Sequence, residues 1–293
     1  VSVELAKKLI EEQFPGLAPA TPVLIGEGWD NSIYSVNGEY LFRFPRRTIV
    51  VEMLTMGSEL LPAVAQELPL PIPAPIFLGA PSTEYPWPFT GARLVKGEPP
   101  GRLSHEQRMR AVEPLAKFLR ALHDFPVDRA RELGAPNDRL GRLDMGKRKP
   151  MLAANAAKLI ECGYVQDGQA VQEFLSSFGG GELDRQLALL HGDLHFRNLI
   201  VDPQGDLAGV IDWDDTYIGH PAADLSIVYS LLPPEGRRQF FAIYGDMDAV
   251  TKSYARFVGV YIPTVLTLYG HDRGDMDLVA AAREYIQMAL VED

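Results

Sequence analysis

The stretch His191-Gly192-Asp193-Leu194-His195-Phe196-Arg197-Asn198, followed about fourteen residues later by Ile211-Asp212-Trp213, constrains this chain more than any other feature. The first piece follows a short apolar run, Leu187 to Leu190, and the second closes another, Leu207 to Ile211. Both runs read as strands. Two strands would then deliver an Asp, an Asn and a second Asp to one end of a small sheet. That set suits phosphoryl transfer: one carboxylate orients an attacking hydroxyl and takes its proton, while an amide oxygen and another carboxylate hold magnesium against nucleotide phosphates. His-Gly-Asp alone would carry little weight, since it is common in turns. The Asn at the fifth position after the Asp, and the strand-terminal Asp beyond it, sharpen the signal. His191 and His195 would face together on a helix, as zinc ligands do. Gly192 and the preceding strand argue against a helix there, and no Glu stands between the two histidines.

The order and spacing match H-x-D-L-x-x-x-N of the kinase catalytic loop, with Gly192 in place of the usual Arg. Asp212 stands where kinases carry Asp-Phe-Gly. The rest of the chain agrees with that outline. Leu5, Leu9, Ile10 and Phe14 mark one face of an opening helix that Pro15-Gly16 stops. From Pro22 to Arg47 the pattern is β, with Asn37-Gly38 as a hairpin signal. Ile49 to Leu61 reads as a helix. The proline-rich run Leu68 to Pro75 can be neither helix nor inner strand, so it predicts a stiff crossover. Phe89 to Val95 reads as a further strand, and Lys96 to Gly101 as a hinge. Beyond it Ser104 and Gln107 form a capping box, and Val112, Leu115, Leu119 and Leu122 recur at helical spacing. Helical blocks at about Met151–Phe178 and Pro234–Leu290 flank the catalytic strands. The expectation is an α+β, protein-kinase-like two-lobed fold: a mostly β N-lobe at 1–95 and a mostly helical C-lobe at 96–293.

A nucleotide also needs a cover for its phosphates and a cation. The turn Gly26-Glu27-Gly28-Trp29-Asp30-Asn31 lies where kinases place a glycine-rich loop, and Asn31 could reach phosphate from it. Read alone, the turn is as well explained as a plain hairpin connection. The cation on the third strand would be Arg43, with Leu41 and Pro45 on its face and Phe42 and Phe44 opposite. Asp224, in Gly219-His220-Pro221-Ala222-Ala223-Asp224-Leu225, reads as an acid at a helix start, favoured by the helix dipole, as a brace for the catalytic loop with His191 as a donor, or as both.

Net charge of −11 argues against nucleic acid or an anionic membrane as partner and is compatible with a cationic substrate. A single cysteine, Cys162, excludes an internal disulfide framework and fits a reducing, cytoplasmic setting. The opening residues are charged and helical in pattern, unlike a signal sequence. The apolar run Phe257 to Tyr269 holds Pro263 and falls short of the roughly 20 apolar residues of a membrane span.

These residues resemble the aminoglycoside phosphotransferase family. The segments Leu190 to Asn198, Ile211-Asp212-Trp213 and Gly219 to Leu225 look like its diagnostic motifs. Gly28-Trp29-Asp30-Asn31, Phe42 to Arg46, Leu68 to Pro73 and Pro81 to Gly97 are similar to the 2''-aminoglycoside and macrolide phosphotransferase branch. The likeness spans about residues 20 to 230. It implies that Asp193 is the catalytic base and that Asn198 and Asp212 ligate Mg2+. It also implies that Arg43 replaces a strand-three lysine on the phosphates of ATP or GTP, and that the backbone of Arg93 and Val95 meets the purine. Two features depart from the family pattern. The cation is Arg rather than Lys, and the helix Glu that normally pairs with it falls at Gly57. Glu52 and Glu59 lie roughly 140° and 200° around the helix from that position.

The expected activity is transfer of the γ-phosphoryl group to a hydroxyl of a small molecule, foremost an aminoglycoside or macrolide antibiotic. Choline, homoserine and sugar kinases have similar sites, so a metabolite kinase is the alternative, as is a weakly active or non-catalytic nucleotide-binding protein. Asp246, Asp248, Asp272, Asp275, Asp277 and Glu284 would suit a polycation, and the Tyr254–Tyr269 stretch a macrolide.

Overall fold

The structure, a computed structural model, describes residues 1–28 and 30–293, without the side chains of residues 49, 50, 52 and 53. Trp29 and the side chain of Glu52 therefore lie outside the described residues. The chain opens with α1 (Val3–Gln13), whose N-terminus is capped by the Ser2 hydroxyl accepting from Leu5 N–H. Five strands follow: β1 (Pro22–Glu27), β2 (Asn31–Val36), β3 (Tyr40–Pro45), β4 (Pro75–Gly79) and β5 (Phe89–Arg93). Helix α2 (Ile49–Ala65) lies between β3 and β4. The sheet is antiparallel in the order β1-β2-β3-β5-β4. Asn37 and Gly38 turn β2 into β3 with positive φ at both residues, as the Asn-Gly signal predicts. Strand β4 was hidden behind the prolines. It begins at Pro75 and lies at the sheet edge, where a missing N–H leaves no inner ladder bond unmade.

Alternation along β3 buries Phe42 and Phe44 completely and leaves Leu41 and Arg43 half-buried on the other face. The buried face packs Phe44 against Phe89 at 4.7 Å and Phe42 against Phe77 at 5.6 Å, with Phe14 of the α1 terminus 5.0 Å from Phe77. Helix α1 closes this aromatic core with Ala6, Leu9 and Ile10. Leu60, Leu61 and Val64 of α2, with Ile72 of the proline-rich run, belong to a different core, the one shared by the C-terminal helices. Helix α2 thus borders the sheet while its apolar side chains pack with the larger lobe.

The second lobe begins with α3 (His105–Arg110), which carries the Ser104–Gln107 capping box, and α4 (Val112–His123), whose Leu115, Leu119 and Leu122 are fully buried. Then come α5 (Val127–Glu132), α6 (Met145–Glu161) and α7 (Val165–Ser177). The short strands β6 (Ala188–Leu190), β7 (Leu199–Val201), β8 (Leu207–Val210) and β9 (Tyr217–Gly219) precede α8 (Ser226–Leu231), α9 (Pro234–Tyr244), α10 (Ala249–Arg273) and α11 (Met276–Leu290). One small catalytic sheet was expected. Instead β6 pairs with β9 and β7 with β8, in two separate ladders. The segment from Phe257 to Tyr269 lies inside α10, and no described helix is long and apolar enough to cross a membrane.

The hinge is pinned at one point. Glu98 and Val201 exchange backbone hydrogen bonds of 3.0 and 2.9 Å, tying the linker to β7. Gly97 beside them has φ +128°, and a Cβ there would lie 2.3 Å from the Val201 carbonyl oxygen. Both the backbone conformation and the space require glycine. Gly97→Ala should lower stability by about 1–3 kcal/mol, the usual cost of such strain. A thermal melt indistinguishable from the parent would show that the linker does not need this geometry.

Candidate active site

The catalytic segment leaves β6 at Leu190 and enters a turn fastened by one buried carboxylate. Asp224 accepts the backbone N–H of His191 at 2.7 Å and of Gly192 at 3.0 Å, and lies 3.5 Å from His123 Nε2. Burial alone would raise its pKa. The hydrogen bond and charge of His123, then the charge of His191 and the Gly192 N–H, outweigh that and hold it below the usual carboxylate range. Of the two readings of Asp224, the structure supports the brace. The residues before α8 form a turn, so Asp224 is not a helix-start acid, and its donors are backbone groups rather than the His191 ring. That ring is buried, with Nε2 2.9 Å from the Ile211 carbonyl and Nδ1 accepting from Asp193 N–H at 3.3 Å. His191 therefore ties the two motif segments together and is not disposed as a metal ligand.

Gly192 explains the missing arginine of the kinase pattern. Its φ is +87°, and a Cβ would stand 2.1 Å from the Asp215 carbonyl oxygen. A guanidinium reaches this spot from elsewhere: Arg142 donates to the Gly192 carbonyl at 2.7 Å and to Asp215 at 2.5 Å.

Asp193 follows, its carboxylate 3.4 Å from His195 Nε2. Burial raises this carboxyl, but the hydrogen bond and charge of His195, helped by His191 and Arg142, carry it below its ordinary range. Asn198, nearly fully buried, donates from Nδ2 to the Asp193 carbonyl at 2.8 Å, which leaves its Oδ1 as an acceptor. Asp212 has φ +66°, a conformation rare outside Gly, Asn and Asp. Its carboxyl is pushed up by burial, with Arg43 opposing and Asp214 and Asp193 adding repulsion. An amide oxygen and a carboxylate crowded by other carboxylates form a donor set that suits magnesium shared with phosphate oxygens.

Between the lobes lies a cleft of about 350 Å³. Ile25, Ile33 and Leu41 wall it from the sheet, Ile200 and Ile211 from the other lobe, and Leu94 and Val95 edge it. Asn31, Arg43 and Asp212 line it as well. Arg93 does not; its guanidinium lies over the Tyr40 ring at 5.9 Å. The side chain of Arg43 bonds Asp214 at 2.7 Å and stands 3.8 Å from Asp212. Gly57 lines the same small cavity as Arg43, of about 50 Å³, which supports the helix register that put glycine at the Glu position. Glu59 is exposed. Among the described residues, Arg43 is thus held by Asp214 and Asp212 of the turn after β8. Its Nε and Asn31 Oδ1 are buried without a hydrogen-bond partner among the described residues.

Asp193 faces a second cleft of about 200 Å³, walled by Leu140, Val258, Tyr261 and Ile262 with Arg142, Arg148 and Asp215. None of the six carboxylates proposed for a polycation lines it. Asp246 pairs with Lys252, Asp272 with Lys158 and Glu284 with Arg102, while Asp248 and Asp275 cap α10 and α11. The tyrosine-rich stretch does reach the cleft, through Tyr261. Arg142, Asp214 and Asp215 were missed. The acidic run Asp212-Trp213-Asp214-Asp215 was their only visible signal, because their partners are distant in sequence.

A profile of the phosphotransferase enzyme family, described under the short name APH, matches residues 22–257. The chain belongs to that family. It is 31% identical over 174 residues to an aminoglycoside 3'-phosphotransferase of Streptomyces fradiae, over 54% of this chain and 57% of that enzyme. The match thus spans little more than half the length of that relative. Its fold is similar to the GDP complex of an aminoglycoside 2'-phosphotransferase, with TM-score 0.66, 22% identity and 99% of both chains covered. It is also similar to a macrolide 2'-phosphotransferase from Brachybacterium faecium, with TM-score 0.59, 17% identity and 97% of both chains covered. This chain shares its two-lobed kinase-like fold with both solved structures.

Two outcomes follow from this geometry. Asp224→Ala should cost about 2–5 kcal/mol, because two buried N–H groups lose their acceptor. Since the native pKa of Asp224 is depressed, the stabilisation is present above the unfolded value and fades as pH falls toward the native one. Denaturant titrations at neutral and acid pH check both, and an equal loss at the two would refute the linkage. Asp214→Asn should weaken nucleotide binding, and Gly57→Glu should restore it, since a Cβ at position 57 meets nothing closer than Leu61 Cδ1 at 3.9 Å. Restoration should vanish in an Arg43→Ala background, as expected of coupled partners.

Proposed function

We propose that this chain transfers the γ-phosphoryl group of ATP or GTP to a hydroxyl of a small molecule. One observation carries the reading: the apolar inter-lobe cleft ends at Arg43 and Asp212, and Asp193, beside Asn198, opens into the separate cleft next to it. A nucleotide in the first would present its terminal phosphate to a hydroxyl held in the second. The purine would lie between Ile33 and Leu41 above and Ile200 and Ile211 below, with backbone groups of Arg93 and Val95 at its edge. Asn31 and Arg43 would meet the phosphates. Asn198 and Asp212 would hold magnesium, which neutralises charge on the phosphate oxygens.

The acceptor oxygen forms its bond to the γ-phosphorus as the bond to the bridging oxygen breaks. The nucleoside diphosphate leaves, and the hydroxyl proton passes to Asp193. A carboxylate held below the usual range is a weak base, which fits a role weighted toward orienting the hydroxyl, with the proton moving late. His195 keeps that carboxylate ionised and aimed.

The relatives named for aminoglycosides and macrolides support a hydroxyl of such an antibiotic as acceptor, and the relative holding GDP supports use of a guanine nucleotide. The lining of the acceptor cleft, where Arg142 and Arg148 stand beside Asp193 and Asp215 and the remaining side chains are mostly apolar, favours a second reading, a metabolite kinase of this family.

The test is phosphate transfer from Mg-ATP and Mg-GTP to a panel of hydroxyl compounds, beside calorimetry of nucleotide binding. Asp193→Asn should reduce turnover by about 10²–10⁴ and leave nucleotide affinity largely intact. Turnover near the parental rate would remove Asp193 from the mechanism. Nucleotide binding without transfer to any acceptor would leave only a nucleotide-binding protein.

A further inference from the structure

The charges around the acceptor cleft are arranged unlike those of the chain as a whole. Net charge is −11, yet the trough running from Met56 to Asp193 is lined by three carboxylates and three guanidiniums. The carboxylates other than Asp193 are already engaged. Asp214 is bonded by Arg43 at 2.7 Å and Asp215 by Arg142 at 2.5 Å. A polycation entering this trough would find Asp193 alone without an arginine bound to it.

The cations are not so matched. Arg142 is held between Asp138 and Asp215, but Arg148 has no carboxylate partner among the described residues. It donates to the carbonyls of Gly141 and Leu140 at 3.1 and 3.2 Å and to the Tyr261 hydroxyl at 3.3 Å. Both terminal nitrogens keep N–H groups for a ligand. The residues on either side repeat the pattern: Lys147 reaches the Leu140 carbonyl and Lys149 the Phe178 carbonyl, neither with an acid among the described residues. Cations in the opening turns of a helix act against its dipole, so the stability of α6 does not account for them. The wall facing Arg148 is apolar, formed by Val258, Tyr261 and Ile262.

We infer that the acceptor is an anionic hydroxyl compound with an apolar body, its carboxylate or phosphate held by Arg148 while its hydroxyl meets Asp193. This rests on the phosphotransferase reading and narrows it. The half-buried guanidinium gains a counter-ion on binding, and the apolar body covers Val258 and Ile262.

The test uses the full chain with Mg-ATP or Mg-GTP and four acceptor classes: β-hydroxydecanoate, its methyl ester, a polycationic aminoglycoside such as kanamycin, and a macrolide. Decyl phosphate serves as a competitor that separates phosphate from carboxylate recognition. The acid should have the lowest acceptor KM, and its ester should be worse by about ten- to a hundredfold, the worth of one charge-assisted bond. Arg148→Gln keeps a donor for the loop carbonyls but removes the charge. It should raise KM for the acid by a similar factor and for the ester by clearly less, narrowing the gap between them, with an unchanged thermal melt. Arg148→Lys should recover part of the loss. Preference for kanamycin or the macrolide over the acid overturns the inference, as does a KM for the acid that Arg148→Gln does not change. Failure of the acid both to be phosphorylated and to compete also overturns it. In each of these cases intact Mg-nucleotide binding and transfer to another class leave the phosphotransferase reading standing. Absence of nucleotide binding defeats that reading itself.

Discussion

Two backbone N–H groups meeting one wholly buried carboxylate hold the catalytic loop in place. Asp224 takes the N–H of His191 and Gly192, and is itself set by His123, whose other ring nitrogen lies 2.7 Å from the Tyr244 hydroxyl. A buried charge is tolerable only when it is paired and hydrogen-bonded, and here the partners come from two places, the turn after β6 and His123 of α4, with Tyr244 of α9 fixing His123 in its turn. Where that carboxylate goes, the turn at Gly192 follows, and with it the position of Asp193. His191 passes the constraint on, through Ile211, to the turn that carries Asp212.

The second dependence runs between the lobes. Arg43 stands on the sheet, but its counter-ions Asp214 and Asp212 stand on the turn after β8. Glycine at position 57 leaves α2 without an acid there. Arg43 and the turn that carries Asp212 are thereby linked directly, across the inter-lobe cleft. Both Arg43 Nε and Asn31 Oδ1 are without partners among the described residues, and such orphaned buried groups are costly unless something else meets them. Phosphate oxygens would meet the first.

The acceptor side is governed by what its arginines already hold. Excess acid elsewhere in the chain caps helices and pairs with surface lysines, so net charge is a poor guide to the charge of this trough. Composition averages over positions that the fold places far apart.

Local patterns were legible from residues alone where one element decides them. The catalytic loop and its spacing, the Asn-Gly turn, the capping box at Ser104 and the alternating faces of β3 all depend on neighbours within a few positions, where periodicity and turn chemistry act. The glycine opposite Arg43 came from the family resemblance, with helix geometry serving only to set Glu52 and Glu59 away from that position. Pairings between distant segments were not legible. Which strand joins β6, which acid replaces the missing Glu, which arginine stands in for the one Gly192 excludes, and which charges face Asp193 are set by contacts across tens to more than a hundred residues of chain. Arg43 and Asp214, 171 residues apart, are the clearest instance. Sequence determined the kind of chemistry, because that needs particular groups at short spacing. Tertiary structure decided how those groups are charged, braced and faced, because electrostatics and burial depend on distance in space and not on distance along the chain.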